Sequence, residues 1–540
     1  MLLWSFLPWI NQKPRTNARD AALKRMEAIE RAVERRVRAK YDAAQTTSDN
    51  RNHWVNADCL SARAANSPGV RQTLRNRARY EAANNSYCAG MLLTLANDTI
   101  GTGPRLRLHV PQPSVDLDEI EETKERLRAK KAFRRMVGQV EAEFNAWARE
   151  IKLAQKLRTM RLARSRDGEA FAVFTYNPKL RSPVKLDLKL VEADQVTSLN
   201  LIPNDPRAID GIRFDEHMNP TEYDILGQHP GDDILVSNWQ PTAHKAENVI
   251  HWFRADRPGQ LRGIPEITPA LPLYAQLRRY TLAVIAAAET AADFAAVITS
   301  KTPSSQDDDV AEPYTELDIV QRMLLQLPNG MELFQLKAEQ PTTTYDMFKR
   351  ELLNEIARCQ QMPYNVAAGN SSGYNYSSGR LDHQIYFRSI DIDRSDCEVE
   401  VLERITRAWF DEAVLVHGLI PDGLGPVHLW TQAWSWDPPT DIDPTKTANA
   451  RLIDLSCGMT SHVAEYDKLG LDWEVEQEKA AESLGCTVDE FRGLLRQKIL
   501  GNAASIQLAN EQQSFAARVK RMGRKIKQLT ARLRRAEMGA

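Results

Sequence analysis

A change of rhythm at Gly168 constrains this chain more than any other feature. Between residues 117 and 165 the apolar side chains of Phe133, Val137, Val140, Phe144 and Trp147 recur every three or four positions, which is one face of an α-helix. From Gly168 the spacing drops to two. Ala170–Tyr176 and Lys185–Val191 alternate apolar and polar residues, as half-buried strands do. Ile209–Phe214 and Thr221–Leu226 predict a hairpin around Asn219-Pro220, and Val249–Phe253 a further short strand. Helices therefore flank a β-rich middle third, and the class is α+β.

The remaining segments read mostly as helices. Residues 17–45 predict a polar, basic one, and Thr73–Ile100 a more apolar one ending at Gly101-Thr102-Gly103-Pro104. An Ala-rich helix is expected over Ile267–Thr299. The acidic, Pro-containing stretch Lys301–Gln340 carries two short apolar runs. Thr342–Gln361 predicts an amphipathic helix with Tyr345, Phe348, Leu352 and Ile356 on one face, ended by Pro363. Another helical region spans Arg380–His417, with Asp391–Asp396 as the place where it would break. Further on, helix starts are marked by Asp443 before Pro444, by Thr460 after Gly458, and by the capping box Thr487-x-x-Glu490. Phe515, Val519, Met522, Ile526, Leu529 and Leu533 form a heptad seam surrounded by Lys and Arg.

At 540 residues the chain needs several cores, and a net charge of −1 gives no global pull toward nucleic acid or an anionic membrane. The charge is uneven. Residues 1–40 hold ten Lys/Arg against four Asp/Glu, residues 515–540 nine against one, and residues 302–320 six acids with no base. Six cysteines without a C-x-x-C pair argue against a zinc ribbon or a disulfide framework. The opening MLLWSFLPWI lacks a basic flank and a small-residue cleavage site, so it reads as a packing segment rather than a signal peptide. Tyr280–Ile298 is interrupted by Glu289 and Asp293, too soon to span a bilayer, and a soluble protein is expected.

Gly369–Gly379 consists entirely of Gly, Ser, Asn and Tyr. It contains Gly369-Asn370-Ser371-Ser372-Gly373, the G-x-S-x-G pattern of a serine-hydrolase elbow. That reading of Ser371 requires a buried strand before it and a helix directly after, and the flanking sequence supplies neither. No Gly-Lys-Ser/Thr of a phosphate-binding loop exists, and Gly101-Thr102-Gly103 lacks the third glycine of a dinucleotide fingerprint. The ten histidines have no metal-ligand spacing, and His251 in an apolar strand reads as a satisfied core residue. Neither a catalytic residue, a metal nor a cofactor is expected.

Several segments, taken in order, resemble the lambda-like family of phage portal proteins. They are Arg75–Gly103 (RNRARYEAANNSYCAGMLLTLANDTIGTG), DGEAF at 167–171, VIHWFRADRPGQLRGIPEITPAL at 249–271, MPYNVAAGNSSGYNYSSGR at 362–380, and Ile442–Val475. Asn375-Tyr376-Ser377-Ser378 and Arg380 match the family pattern residue for residue. The chain departs from it at Gly379, where a small residue such as Ala is usual, and in a longer polar insertion before Asn375.

The resemblance implies a portal-type multidomain subunit with an α/β wing, a helical stem, a small clip and a helical crown. It divides the chain into a basic N-terminal arm (1–50), the wing (51–265), a stem helix (266–300), the clip (301–341), a second stem helix (342–362), a tunnel loop (363–380), a wing return helix (381–440) and the crown (441–540). It also implies a homo-oligomeric ring of twelve subunits at one capsid vertex. Double-stranded DNA would pass through that ring on packaging and ejection. Expected partners are the large terminase subunit, a head-completion adaptor, the major capsid protein and scaffold, without a membrane. The expected location is the virion, and the host cytoplasm during assembly. Asn370, Ser371, Ser372, Tyr374, Asn375, Tyr376, Ser377, Ser378 and Arg380 would face the channel. Asp307, Asp308, Asp309, Glu312, Glu316 and Asp318 would dock the motor or adaptor. The competing readings are a serine hydrolase using Gly369–Gly373 and a generic DNA-binding protein using the basic termini.

Overall fold

The computed structural model describes residues 24–28, 51–53, 55–111, 123–198, 207–232, 240–293, 297–300, 331–334, 342–438, 444–469, 471, 473–499 and 522. The chain divides into two units, Met1–Ala65 and Asn66–Ala540. In the first, residues 24–28 and Ala62–Ala65 are helical. The rest of the predicted 17–45 helix, the acidic stretch 302–320 and, apart from helical Met522, the C-terminal seam lie outside the described residues.

The second unit opens with α1 (Pro68–Asn84) and α2 (Ser86–Ile100). The sequence predicts one helix here. The break is Asn85, whose extended backbone lets its side chain accept from the N–H groups of Tyr87 and Cys88 and so start α2 afresh. After β1 (Arg105–His109) come α3 (Thr123–Glu150) and α4 (Leu153–Asp167), separated by Lys152 in the left-handed conformation, φ 56°.

The rhythm change at Gly168 marks the start of β2 (Glu169–Tyr176), the middle strand of an antiparallel sheet with β3 (Leu186–Val191) and β8 (Val249–Phe253). A second sheet has the order β4 (Ala208–Ile209), β5 (Ile212–Phe214), β6 (Pro220–Ile225), β7 (Thr242–Lys245). Predicted strand Ile209–Phe214 is thus itself a tight hairpin turning at Asp210-Gly211. Strand alternation puts successive residues of β2 into different cores. Ala170 and Ala172 join Phe144, Trp147, Trp252, Trp409 and Phe410 on one face. Phe171 and Val173 join Ile212, Tyr223 and Ile225 on the other.

Helix α5 (Leu271–Asp293) gives way to β9 (Val297–Ser300), which pairs with β10 (Met331–Phe334). The predicted helix ran on to Thr299, but Val297-Ile298-Thr299 is a β-branched run that suits a strand. The return helix α6 (Thr342–Arg358) meets α5 through Tyr280–Phe348, with ring centroids 4.8 Å apart. Near its end Leu352, Leu353 and Ile356 enter a third core with Leu95, Tyr274 and Leu277.

After α7 (Tyr364–Ala368), α8 (Tyr376–Cys397) runs through a π turn, Glu398–Leu402, into α9 (Glu403–Ala413). The axis does not break at Asp391–Asp396. Asp393 instead pairs with Arg161 and Arg164 of α4. β11 (Thr431–Ser435) returns to pair with β1, Arg105 opposite Ser435. The C-terminal helices are α10 (Pro444–Ser456), α11 (His462–Lys468), α12 (Trp473–Leu484) and residues 488–499. The box at Thr487 forms as expected: Thr487 N–H donates to Glu490 at 2.8 Å and Glu490 N–H to Thr487 Oγ1 at 3.3 Å. At α11 the cap is Ser461 rather than Thr460, whose hydroxyl bonds Glu465.

Candidate channel loop and its anchoring network

The Gly/Ser/Asn/Tyr segment is built from two helix ends. Asn365 and Ala367 of α7 are buried, and Asn365 Nδ2 lies 3.1 Å from His383 Nε2 of α8. Helix α7 ends at Gly369, φ 62°, a left-handed position that glycine adopts without steric cost. The Asn370 N–H then donates back to the Asn365 carbonyl at 3.1 Å. Asn370 Oδ1 takes the Ser372 N–H at 2.9 Å, and the Ser371 carbonyl takes the Tyr374 N–H at 3.2 Å. Asn375 closes the segment as N-cap of α8, its Oδ1 accepting the Ser378 N–H at 2.9 Å.

The loop proper is therefore Gly369–Asn375, shorter than the 363–380 expected from sequence. Asn370, Ser371, Ser372 and Asn375 are exposed on it and Tyr374 is half-buried. Burial, with Asp382 nearby, pushes the Tyr374 phenol above its ordinary value. Tyr376, Ser377, Ser378 and Arg380 stand in the first turns of α8 instead, and the Ser378 hydroxyl bonds the Asn375 carbonyl at 3.2 Å. No charged residue occurs between Gly369 and Gly379. The guanidinium of Arg350, below the loop, sits 5.8 Å over the Tyr364 ring. The segment before Ser371 is a helix, not a strand, so the elbow geometry of a serine hydrolase is not formed. Asp307, Asp308, Asp309, Glu312, Glu316 and Asp318 lie outside the described residues.

Sequence reading missed the network that holds α8, and so the loop's far end, in place. Arg161 and Arg164 of α4 each bridge Glu266 and Asp393, at 2.7–2.9 Å, and all four side chains are at most 14% exposed. Burial opposes ionisation of Glu266, yet the two arginines and Arg254 hold its carboxyl at about 2. A second centre is Glu169, fully buried. Arg262 grips it with a fork of bonds at 2.6–3.1 Å, and the Gly263 N–H adds another at 3.1 Å. Burial again works against the charge, but Arg262 and the His251 hydrogen bond keep Glu169 well below the carboxylate range. His251 itself is pushed down by burial more than Glu169 pushes it up, so it serves as the neutral partner.

The two centres meet where two glycines cross. A Cβ on Gly263 would fall 2.1 Å from the Gly168 carbonyl oxygen, and one on Gly168 2.4 Å from the Ile264 carbonyl carbon. DGEAF and LRGIPE are thus two halves of one buried clamp. The sequence signal was partial: Glu169 and Arg262 stand beside apolar residues, but nothing in their spacing says that they meet.

Glu192, Asp194 and His229 also cluster, with donor atoms within 4.8 Å. Arg79 already bridges both carboxylates, at 3.1 and 2.7 Å. His229 Nδ1 accepts the Gly231 N–H at 2.9 Å, which leaves the ring proton on Nε2, facing the acids. With the Arg79 guanidinium already supplying the positive charge between the two acids, the group reads as an ion-pair cluster.

Residues 48–394 match the family described as phage portal protein, lambda family. The chain belongs to that family. The matched span takes in the clamp, the loop and α8 through Asp393, and it makes the chain a structural portal protein. Among curated proteins, none matches. Three solved chains of gene transfer agent particles are similar. One, from the neck of an empty particle computed with C6 symmetry, is 13% identical at TM-score 0.40, covering 75% of this chain and 94% of its own. A second, from the virion of a native particle, is 14% identical at TM-score 0.39, covering 79% and 99%. A third, from the neck of a native particle computed with C12 symmetry, is 13% identical at TM-score 0.38, again covering 79% and 99%. Among the described residues of this portal protein no helix is long and apolar enough to cross a membrane.

Proposed function

We propose that this portal protein assembles into a closed homo-oligomeric ring at one capsid vertex, through which duplex DNA is packaged and ejected, with Gly369–Asn375 lining the bore. The family match carries the reading. Physical grounds support it. A ring needs a head-to-tail interface made of two different faces on each subunit. Helices α5 and α6 leave Leu282, Ile285, Met347 and Phe348 exposed, and α8 leaves Leu381, Ile385 and Ile392 exposed, on separate elements. A conduit must also release what it conducts. Each Lys or Arg on its wall would repeat around the ring and bind phosphates in a salt-dependent way that resists sliding. An uncharged loop of Asn, Ser and Tyr offers hydrogen bonds without that grip.

In this reading residues 51–265 and 381–440 form the wing, α5 and α6 the stem, 301–341 the clip, and 441–540 the crown. The twelvefold ring, the terminase and adaptor docked on the clip acids, the capsid and scaffold contacts and the virion location belong to the same proposal. The protein acts by holding and passing DNA rather than by a reaction of its own. Negative-stain images of the purified full chain test it. Radial particles with a central hole are expected, and a field of monomers at micromolar concentration would overturn it.

A further inference from the structure

The Gly101–Arg105 turn, the end of α3 and the start of α4 enclose a cleft of about 680 Å³ that the channel reading does not use. Its lining includes Arg105, Arg149, Lys152 and Arg158 and contains no carboxylate. Two of these cations are already tethered. Arg158 donates to the Gly101 carbonyl at 2.6 Å, and Arg105 reaches the Leu469 carbonyl at 3.4 Å and Asp437 at 3.7 Å. Asp437, the acid that Arg105 reaches, is itself engaged by the Thr102 N–H and hydroxyl at 2.6 and 2.9 Å. Arg149 and Lys152 are exposed and have no carboxylate partner among the described residues, while Glu150 between them turns away to the N–H groups of Arg181 and Ser182.

The backbone adds to the positive field. Lys152 is left-handed, φ 56°, and no side chain caps the start of α4, so that helix end opens into the same cleft. Gly103 permits the close fit: a Cβ there would lie 2.7 Å from the Ala154 Cβ, bringing the turn down against the helix start. We infer that this cleft is a static binding site for the phosphodiester backbone of nucleic acid, distinct from the sliding channel. An acidic protein segment fits less well. Such partners anchor through aromatic or large aliphatic side chains in apolar pockets, and here the apolar lining is only Pro104, Ala148, Leu153 and Ala154. A phosphate backbone needs only the cations and N–H donors present.

The inference takes its ligand class from the portal reading, but not its ring, so the two can fail separately. The test is the salt dependence of binding of a fluorescent 20-base-pair duplex to the full chain. Compared are the wild type, Arg149→Glu/Lys152→Glu, and the control Lys179→Glu/Lys189→Glu, which makes the same charge change at exposed lysines elsewhere. The cleft pair is expected to weaken binding at least tenfold at low salt. It should also lower the log–log salt slope by about 2 for each cleft engaged. The control pair should leave the slope unchanged. Arg149→Gln/Lys152→Gln, the milder pair, is expected to give the same slope change if reversal disturbs folding. Equal losses in cleft and control pairs would overturn the site. So would binding of inorganic pyrophosphate in the cleft with duplex affinity unaffected by either cleft pair.

Discussion

Gly263 carries the sharpest consequence of the clamp. Gly263→Ala would drive a methyl group into the Gly168 carbonyl 2.1 Å away, a backbone atom that cannot swing aside. A loss of about 3 kcal/mol or more is expected. The melting temperature of the purified variant checks it, and an unshifted melt would mean the two backbones do not cross so closely. Glu266 gives a pH dependence. Its carboxyl is held at about 2 against an ordinary 4.5, so the native state binds its proton less readily than the unfolded chain. The stability this confers is complete above pH 4.5 and is lost as pH falls below it through the lowered value. Glu266→Gln should flatten that part of an acid-denaturation curve. An equally steep fall in the variant would place the acid sensitivity elsewhere. By contrast Ser371→Ala, which removes one exposed hydroxyl without a side-chain hydrogen bond among the described residues, is expected to leave stability and DNA packaging unchanged. A packaging defect from it would revive the catalytic reading.

Among elements, the loop depends on the caps at its ends. Asn375→Ala removes the acceptor for the Ser378 N–H and should cost about 1 kcal/mol, whereas Asn375→Ser should cost little. Amide exchange at Ser378 reads the difference, and equal exchange in both variants would discount the cap. Deleting Gly369–Gly373 is expected to spare ring formation while altering DNA retention. Loss of rings would make the loop an interface instead. Much of this level was legible in the sequence. The alternation after Gly168, the strand Val249–Phe253, the amphipathic face of α6 and the box at Thr487 followed from local spacing. The misses had non-local or competing local causes. Asn375 and Asn85 are caps inside stretches read as loop and as helix. Asp391–Asp396 looked like a break because its tertiary partners, arginines some 230 positions earlier, are invisible to periodicity. The Glu169–Arg262 pair is hidden in the same way, since spacing along the chain does not report which buried charges meet.

At the scale of the whole molecule, three cores share one chain: β2 divides two of them, and the third joins α2, α5, α6 and α8. The C-terminal helices are attached to this body by polar contacts. Lys131 pairs with Glu478, Arg134 with Glu474, and Ser435 Oγ donates to the Asp467 carbonyl at 3.2 Å. Exposed ion pairs contribute little individually, so the attachment should weaken with salt. Truncation after Ala504 is expected to leave the body folded and rings intact while lowering the amount of DNA packaged. Failure of the truncated chain to form rings would assign the oligomer to the C-terminal seam.

A reconstruction of the assembled full chain by electron cryomicroscopy bears most directly on whether Gly369–Asn375 is the constriction of a DNA channel. The expected result is a closed ring with α5 and α6 around the bore and Gly369–Asn375 of every subunit at its narrowest level, no Lys or Arg side chain nearer the axis there. A closed ring with that loop on the outer rim, or a bore whose narrowest level is lined by arginines and lysines, would contradict it.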